Sequence, residues 1–409
     1  MFFNRNITQK LQAALSRSPV VLLTGARQTG KTTLIKHLFV QKGYTYVTFD
    51  DVRYLSAAKN DPIGFLKDLP KPTVLDEVQR VPELFLSIKH YVDENRVPGL
   101  FILTGSANPL LIPNLGDSLA GRMEIVELFP LSQGEIAHKK ENFIQNIFAA
   151  NIQGLSVGDG SREELAKKLV TGGFPQVQTY DSDGREAWFN AYLTTILQRD
   201  VKDLARIEGL TLLPNLLELI ATRVGSLLNV AELARTSGIS TSTLHRYLTL
   251  LETLYLITLQ APWSTHLGKR LVKAPKIYLV DAGIQLHLLS ADKQRILTDT
   301  NMLGKVVENF IITEILKQIS WADVRVRLYH YRTDSGVEVD IILENASGNV
   351  VGIEIKSGGT IISDDFKGLR SVQQDCGDKF VAGIVLYSGV DKIPFGNNLW
   401  AVPISTLWS

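Results

Sequence analysis

An α/β protein is what this 409-residue chain predicts, with a parallel sheet first, a helical middle and a separate α/β unit last. Three observations carry that reading. Over residues 1–135, short apolar runs alternate with segments long enough for crossover helices, the pattern of parallel strands. The stretch Gly25-Ala-Arg-Gln-Thr-Gly30-Lys31-Thr32 follows directly on the first of those runs. From residue 300 onward a helical stretch precedes a second series of strand-like runs.

The elements follow in order. Residues 8–16 mix polar and apolar side chains at helical spacing, and residues 20–24, 46–49, 73–75, 100–104 and 124–128 read as strands of one sheet. A helix over 33–39 closes the glycine-rich loop. Between 136 and 220 helical periodicity takes over, broken by glycine-rich runs at 154–160 and 171–175, so a helical linker is expected there. Residues 227–259 read as helix, a turn at 238–240, and a second helix over 241–251, a spacing that resembles a helix-turn-helix. In it Ala231, Leu233, Ala234, Ile239, Leu244 and Leu248 are expected in the core, with Ser242, His245 and Arg246 facing outward toward DNA. The last segment predicts a helix over 305–318 and strands over 324–332, 337–343, 350–356, 380–387 and 399–403. The expected divisions are 1–135, 136–220, 221–299 and 300–409.

Composition narrows the function classes. Hydrophobic residues at 45% and charged residues at 21% describe a chain that folds around cores, not a disordered one. A net charge of +1 gives no global pull toward polyanions, so any nucleic-acid site must come from local clustering. A single cysteine, Cys376, leaves no partner for an internal disulfide and no cysteine cluster for a metal, which suits a reducing compartment and makes cytoplasm the expected location. The first residues lack a signal-peptide apolar core, and no uncharged apolar span of about 18 residues follows.

The glycine-rich stretch fits G-x-x-x-x-G-K-S/T between a strand and a helix, the context that makes it a P-loop. Gly25, Ala26, Arg27, Gln28, Thr29, Gly30, Lys31, Thr32 and Thr33 would cradle the phosphates of ATP or GTP. Main-chain amides would converge on oxygens, Lys31 would add charge, and the Thr32 hydroxyl would hold Mg²⁺. Asp76 and Glu77 close the third strand at the edge where ligands of open parallel sheets bind. Asp76 would hold Mg²⁺ through water, and Glu77 would orient the attacking water. After the fourth strand Thr104, Ser106 and Asn108 compete for the role of γ-phosphate sensor. Arg122, before the fifth strand, could serve its own site or a neighbour's, or be a surface arginine; acting in trans would require assembly.

A second constellation lies near the carboxyl terminus. Glu308 falls on a helix, Asp340 on a strand, and Glu354 and Lys356 share one strand face by their i, i+2 spacing. Asp340 and Glu354 could share Mg²⁺ while Lys356 positions water for phosphodiester attack, the D…E-x-K arrangement of restriction-type nucleases. An amphipathic strand edge produces E-x-K just as readily.

Taken together, the P-loop, Leu75-Asp-Glu-Val-Gln79, Leu103-Thr-Gly-Ser106, Gly172-Gly-Phe-Pro175, Lys276-Ile-Tyr-Leu-Val-Asp281-Ala-Gly283, Gly304-Lys-Val-Val-Glu308-Asn309, Val337-Glu-Val-Asp340 and Glu354-Ile-Lys356 resemble prokaryotic AAA-type P-loop ATPases. In that group the ATPase is fused to a winged helix-turn-helix and a carboxyl-terminal domain of unknown function similar to restriction-endonuclease-like nucleases. The resemblance covers nearly the whole chain and implies ATP as the nucleotide. An ATP-driven enzyme on DNA, a non-cleaving nucleotide switch and a protein-binding adaptor all remain open at this point.

Overall fold

The structure is a computed structural model describing residues 2–108, 119–201, 210–270 and 273–409. The expected helical linker therefore has residues 202–209 outside the described residues. The four expected segments fall into two compact units: one of Asn4–Pro130 with Thr249–Leu256, the other mainly of Leu131–Leu248 and Ile257–Ser409.

In the first unit, β1 (Val20–Thr24), β2 (Thr45–Thr48), β3 (Thr73–Asp76), β4 (Phe101–Gly105) and β5 (Met123–Glu127) form one sheet in the order β2-β3-β4-β1-β5. All neighbours are parallel, so every carboxyl end lies on one edge. The inner strands β1, β3 and β4 are buried along their whole length, which is why each reads as an unbroken apolar run rather than an alternating one. Helix Thr8–Arg17 buries Leu11, Ala14 and Leu15 at i, i+3 and i+4. Phe49, Leu75, Phe101 and Leu103 pack with Leu84, Phe85, Ile88 and Val92 of helix Leu84–Glu94 into one core. Each such side chain contributes about 1.5–3 kcal/mol when fully buried. Because β4 is inserted between β1 and β3, the β4 end carries its side chains between the phosphate loop and Asp76.

In the second unit, helix Val230–Ser237 and the first two turns of helix Thr241–Thr253 flank the turn at Gly238, whose φ of 70° needs no Cβ penalty in glycine. Ser242, His245 and Arg246 are exposed and Leu233, Ala234, Ile239, Leu244 and Leu248 are buried, as expected. Ala231 is exposed, against expectation. At about 100° per residue it stands roughly 200° from Leu233, on the face shared with Glu232 and Arg235. Two short strands then follow that sequence periodicity did not reveal: β6 (Ile257–Gln260) and β7 (Lys276–Leu279), antiparallel, with Leu227 bridging to Lys276. Four residues are too few for a period to register.

The 22-residue helix Thr300–Trp321 and a six-stranded mixed sheet complete the unit. The strands are β8 (Val326–Arg332), β9 (Glu338–Asn345), β10 (Val350–Lys356), β11 (Phe380–Tyr387), β12 (Ile393–Pro394) and β13 (Leu399–Pro403), in the order β12-β13-β11-β10-β9-β8. β8, β9 and β10 run antiparallel, while β10, β11 and β13 are parallel. Gln260 on β6 donates to the carbonyls of Tyr329 and Asp340, 2.9 Å each, fastening the β6–β7 pair to this sheet.

Candidate functional site

The phosphate loop leaves β1 at Gly25, where φ is 139° and an added Cβ would stand 2.2 Å from the Leu128 carbonyl oxygen. Only glycine allows that approach. Gly30, with φ of 96°, turns the chain into helix Lys31–Leu38, whose first-turn amides face the loop. Buried Arg5 braces the loop from outside its motif, donating to the carbonyls of Thr29 at 2.8 Å and Phe129 at 2.6 Å. Lys31 folds its ammonium back onto the carbonyls of Gly25 at 2.9 Å and Ala26 at 2.8 Å.

Opposite the loop, Thr32 donates to both Asp76 oxygens at 3.1 and 3.2 Å. Thr104 and Tyr46 also donate to Asp76, so three side chains from three elements converge on one carboxylate. Burial first, then this bond, raises the Tyr46 hydroxyl well above its ordinary range and keeps it a donor. Glu77 leaves β3 with a φ of 60°, a left-handed conformation that costs about 1–3 kcal/mol in a non-glycine residue and clusters at functional sites. Its N–H donates to Thr104 at 3.1 Å, and its carboxylate accepts from Gln79 and from Ser106 at 3.3 Å. The three-way choice on β4 thus divides: Thr104 holds Asp76, Ser106 holds Glu77, and the Asn108 N–H donates to the Thr253 carbonyl at 2.8 Å.

Arg122 is not part of its own chain's nucleotide site. It precedes β5 at the amino end of the sheet, where the Val20 N–H donates to its carbonyl. Four strand steps, about 13 Å, separate that end from the loop. Its guanidinium is paired bidentately with Asp93 at 2.5 and 3.0 Å. Near the loop instead stand Glu127, in register with Thr24, and Tyr255, whose hydroxyl lies 2.9 Å from the Thr24 hydroxyl. Burial pushes Glu127 up to about 7.

In the second unit the expected carboxylate and lysine set gathers at β7, β9, β10 and helix Thr300–Trp321, but with Lys276 at its centre. The Lys276 ammonium lies 3.2 Å from Glu308 and 3.2 Å from Asp340. Tyr278 donates to Glu308 at 2.7 Å, the Ile355 N–H to the other Asp340 oxygen at 3.0 Å, and Lys356 to Glu354 at 3.1 Å. Burial, then the Asp340 charge, pushes Glu308 up to about 7 and Glu354 up to about 8. Burial alone would lower Lys276, but Asp340 and Glu308 outweigh it and hold the ammonium charged. Among the described residues no group of three or more His, Cys, Asp and Glu side chains is arranged to hold a metal ion. The carboxylates expected to share Mg²⁺ have basic partners in this structure: Lys276 bonds Asp340 and Lys356 bonds Glu354.

Residues 17–137 match the AAA domain, residues 162–295 a domain of unknown function, DUF8612, and residues 303–407 another, DUF4143. An uncharacterized protein of Mycobacterium tuberculosis is 33% identical over 402 residues, covering 98% of this chain and 83% of that protein. The chain belongs to the same family. An uncharacterized protein of Methanocaldococcus jannaschii is 23% identical over 425 residues, covering 98% and 90%. Among solved structures, the Walker-type ATPase of Pyrococcus abyssi aligns with a TM-score of 0.44 at 15% identity, over 70% of this chain and 96% of that one. The RuvB Holliday junction branch migration motor of Thermotoga maritima aligns with a TM-score of 0.30 at 20% identity, over 63% and 90%. The match over residues 17–137 identifies the amino-terminal unit as an AAA domain. Among the described residues no helix is long and apolar enough to cross a membrane.

The raised carboxyls have a measurable consequence. Glu127 and Glu308 at about 7, with Glu141 and Glu354 at about 8, all bind protons more tightly folded than unfolded. Their stabilising contribution is complete below the unfolded value near 4.5 and is lost as pH rises through the folded values. The melting temperature is expected to fall steadily between pH 5 and about 8.5. Glu354→Gln should flatten the slope, and a wild-type melting temperature that rises across this window would contradict the burial of these groups.

Proposed function

We propose that the chain binds and hydrolyses ATP with Mg²⁺ in its AAA domain and uses the cycle to act on DNA through the helix-turn-helix. The observation that carries this is the Thr32 hydroxyl bonded to Asp76 beside Lys31. Those two oxygen groups and the loop amides fit a magnesium-bound triphosphate, which would supply the reacting γ-phosphoryl group and the charge that neutralises it. Lys31 would exchange its loop carbonyls for phosphate oxygens. Glu77, held by Ser106 and Gln79, would orient water, and its strained backbone is consistent with a side chain kept in one place for that purpose. Arg122 would act only toward a neighbouring copy in a homo-oligomer.

The DNA reading rests on the exposed row Ser242, His245 and Arg246, with β6 and β7 in the place of a wing. The helix bearing that row ends at Thr253, whose carbonyl receives Asn108; Tyr255 just beyond reaches Thr24.

A cleaving carboxyl-terminal domain built on Glu308, Asp340, Glu354 and Lys356 is the second reading, and a non-cleaving switch is favoured over it by Lys276. The test measures ATP turnover with and without duplex DNA, together with DNA affinity at two salt concentrations. DNA is expected to accelerate turnover, affinity should fall with salt, and Arg246→Ala should weaken binding by roughly tenfold. DNA affinity independent of both salt and Arg246 would refute the DNA reading. Plasmid incubated with ATP and Mg²⁺ is expected to stay intact; nicking that Lys356→Ala abolishes would restore the nuclease.

A further inference from the structure

We infer that the carboxyl-terminal cluster is a lysine-neutralised site, in which the Lys276 ammonium bridges Glu308 and Asp340, beside Glu354, where a D…E-x-K centre would carry a divalent ion. The inference goes beyond the ATPase reading and stands independently of it.

The contacts around Lys276 carry it. Lys276 reaches in from β7, a strand outside the mixed sheet, and bonds one oxygen of Glu308 and one of Asp340, both at 3.2 Å. Its side chain is only 4% exposed, so no water shell supplies the counter-charge that these carboxylates provide. The remaining Asp340 oxygen is taken by the Ile355 N–H, and the remaining Glu308 oxygen faces Gly225, where an added Cβ would stand 2.6 Å away. Gly225 has a φ of 78° and its N–H donates to the Ile277 carbonyl at 3.0 Å, so the backbone itself walls off that side. Glu354 is turned to Lys356, which also lies 3.7 Å from Asp365.

A magnesium ion takes an octahedral shell of oxygens at about 2.0–2.1 Å and keeps several waters. Glu308 and Asp340 cannot form such a shell while an ammonium bridges them, and a divalent ion beside a buried ammonium meets repulsion in a low-dielectric setting. The cluster instead ties three elements by charge: β7, helix Thr300–Trp321 and the β9–β10 edge. Lys276 thus holds β7 to helix Thr300–Trp321 and β9, and its ammonium occupies the space between Glu308 and Asp340.

Manganese binding to the full-length, nucleotide-free protein, followed by calorimetry and by the paramagnetic resonance of free Mn²⁺, tests the inference. Wild type and Asp340→Asn are expected to give the same isotherm, because nothing is bound at Asp340. Lys276→Met keeps the apolar stem and removes the charge; when folded, it should gain a manganese site that a second change, Asp340→Asn, removes. A wild-type manganese site lost in Asp340→Asn would overturn the inference, as would a folded Lys276→Met that gains none. Circular dichroism reports folding. Where Asp340→Asn fails to fold, Glu354→Gln takes its place, and where Lys276→Met fails, the wild-type comparison alone decides. ATP turnover, measured on the same samples, reports on the AAA domain separately, so failure here leaves the ATPase reading intact.

Discussion

Lys31→Ala is expected to abolish ATP turnover and to weaken ATP binding by roughly 100-fold or more, as for a charge-assisted contact of up to about 3 kcal/mol to a phosphate. The fold should survive the change. Lys31 bonds the Gly25 and Ala26 carbonyls of its own loop, and helix Lys31–Leu38 tolerates alanine at its first position. Glu77→Gln is the informative companion. It keeps the side-chain shape held by Ser106 and Gln79 but cannot polarise water, so ATP affinity should be unchanged while turnover falls about 10²- to 10⁴-fold. Titration with a fluorescent ATP analogue and steady-state phosphate release separate the two effects. Turnover retained in both variants would mean that hydrolysis, if seen, comes from elsewhere.

Lys317→Met carries the largest expected stability effect. On helix Thr300–Trp321, Lys317 and Glu314 pair at 2.6 Å with side chains 2% and 0% exposed. The carboxylate also receives the Gln133 N–H at 2.9 Å, and the ammonium reaches the Leu131 carbonyl at 3.0 Å. Together they bind the start of the second unit to its longest helix. Removing the lysine leaves a buried carboxylate without its counter-charge, which costs about 3–5 kcal/mol. Adding Glu314→Gln to Lys317→Met should recover much of that loss, because the amide is neutral and still accepts from Gln133. Urea unfolding followed by tryptophan fluorescence reads the transition of this unit. A loss below about 1 kcal/mol would show that water reaches the pair.

Legibility in the sequence followed the range of the interaction. The P-loop is local: its glycines, lysine and threonine fall within eight residues, and strand β1 before it is a fully buried run. Asp76 and Glu77 were legible because parallel strands present their carboxyl ends on one edge, so an acidic pair closing an apolar run has few other placements. Tyr46 and Arg5 were not, since neither belongs to a spaced pattern and each acts across the fold, Tyr46 on Asp76 and Arg5 on Thr29. Arg122 was visible before the fifth strand, but its bidentate pairing with Asp93 was not.

The carboxyl-terminal set shows the same division more sharply. Glu308, Asp340, Glu354 and Lys356 do come together, as their order and the two-residue strand period foretold. Lys276 lies in a four-residue strand that no period marks, and it appeared in the sequence only as part of a motif without a stated role.

By itself, then, the chain's order of residues determined a phosphate-gripping loop, an acidic strand end and a doubled α/β plan, because each depends on neighbours within a turn or a strand. Which cation meets Glu308 and Asp340, and which carboxylate holds Arg122, were decided only by the tertiary structure. Charges act through space, and packing brings together residues that the chain keeps far apart.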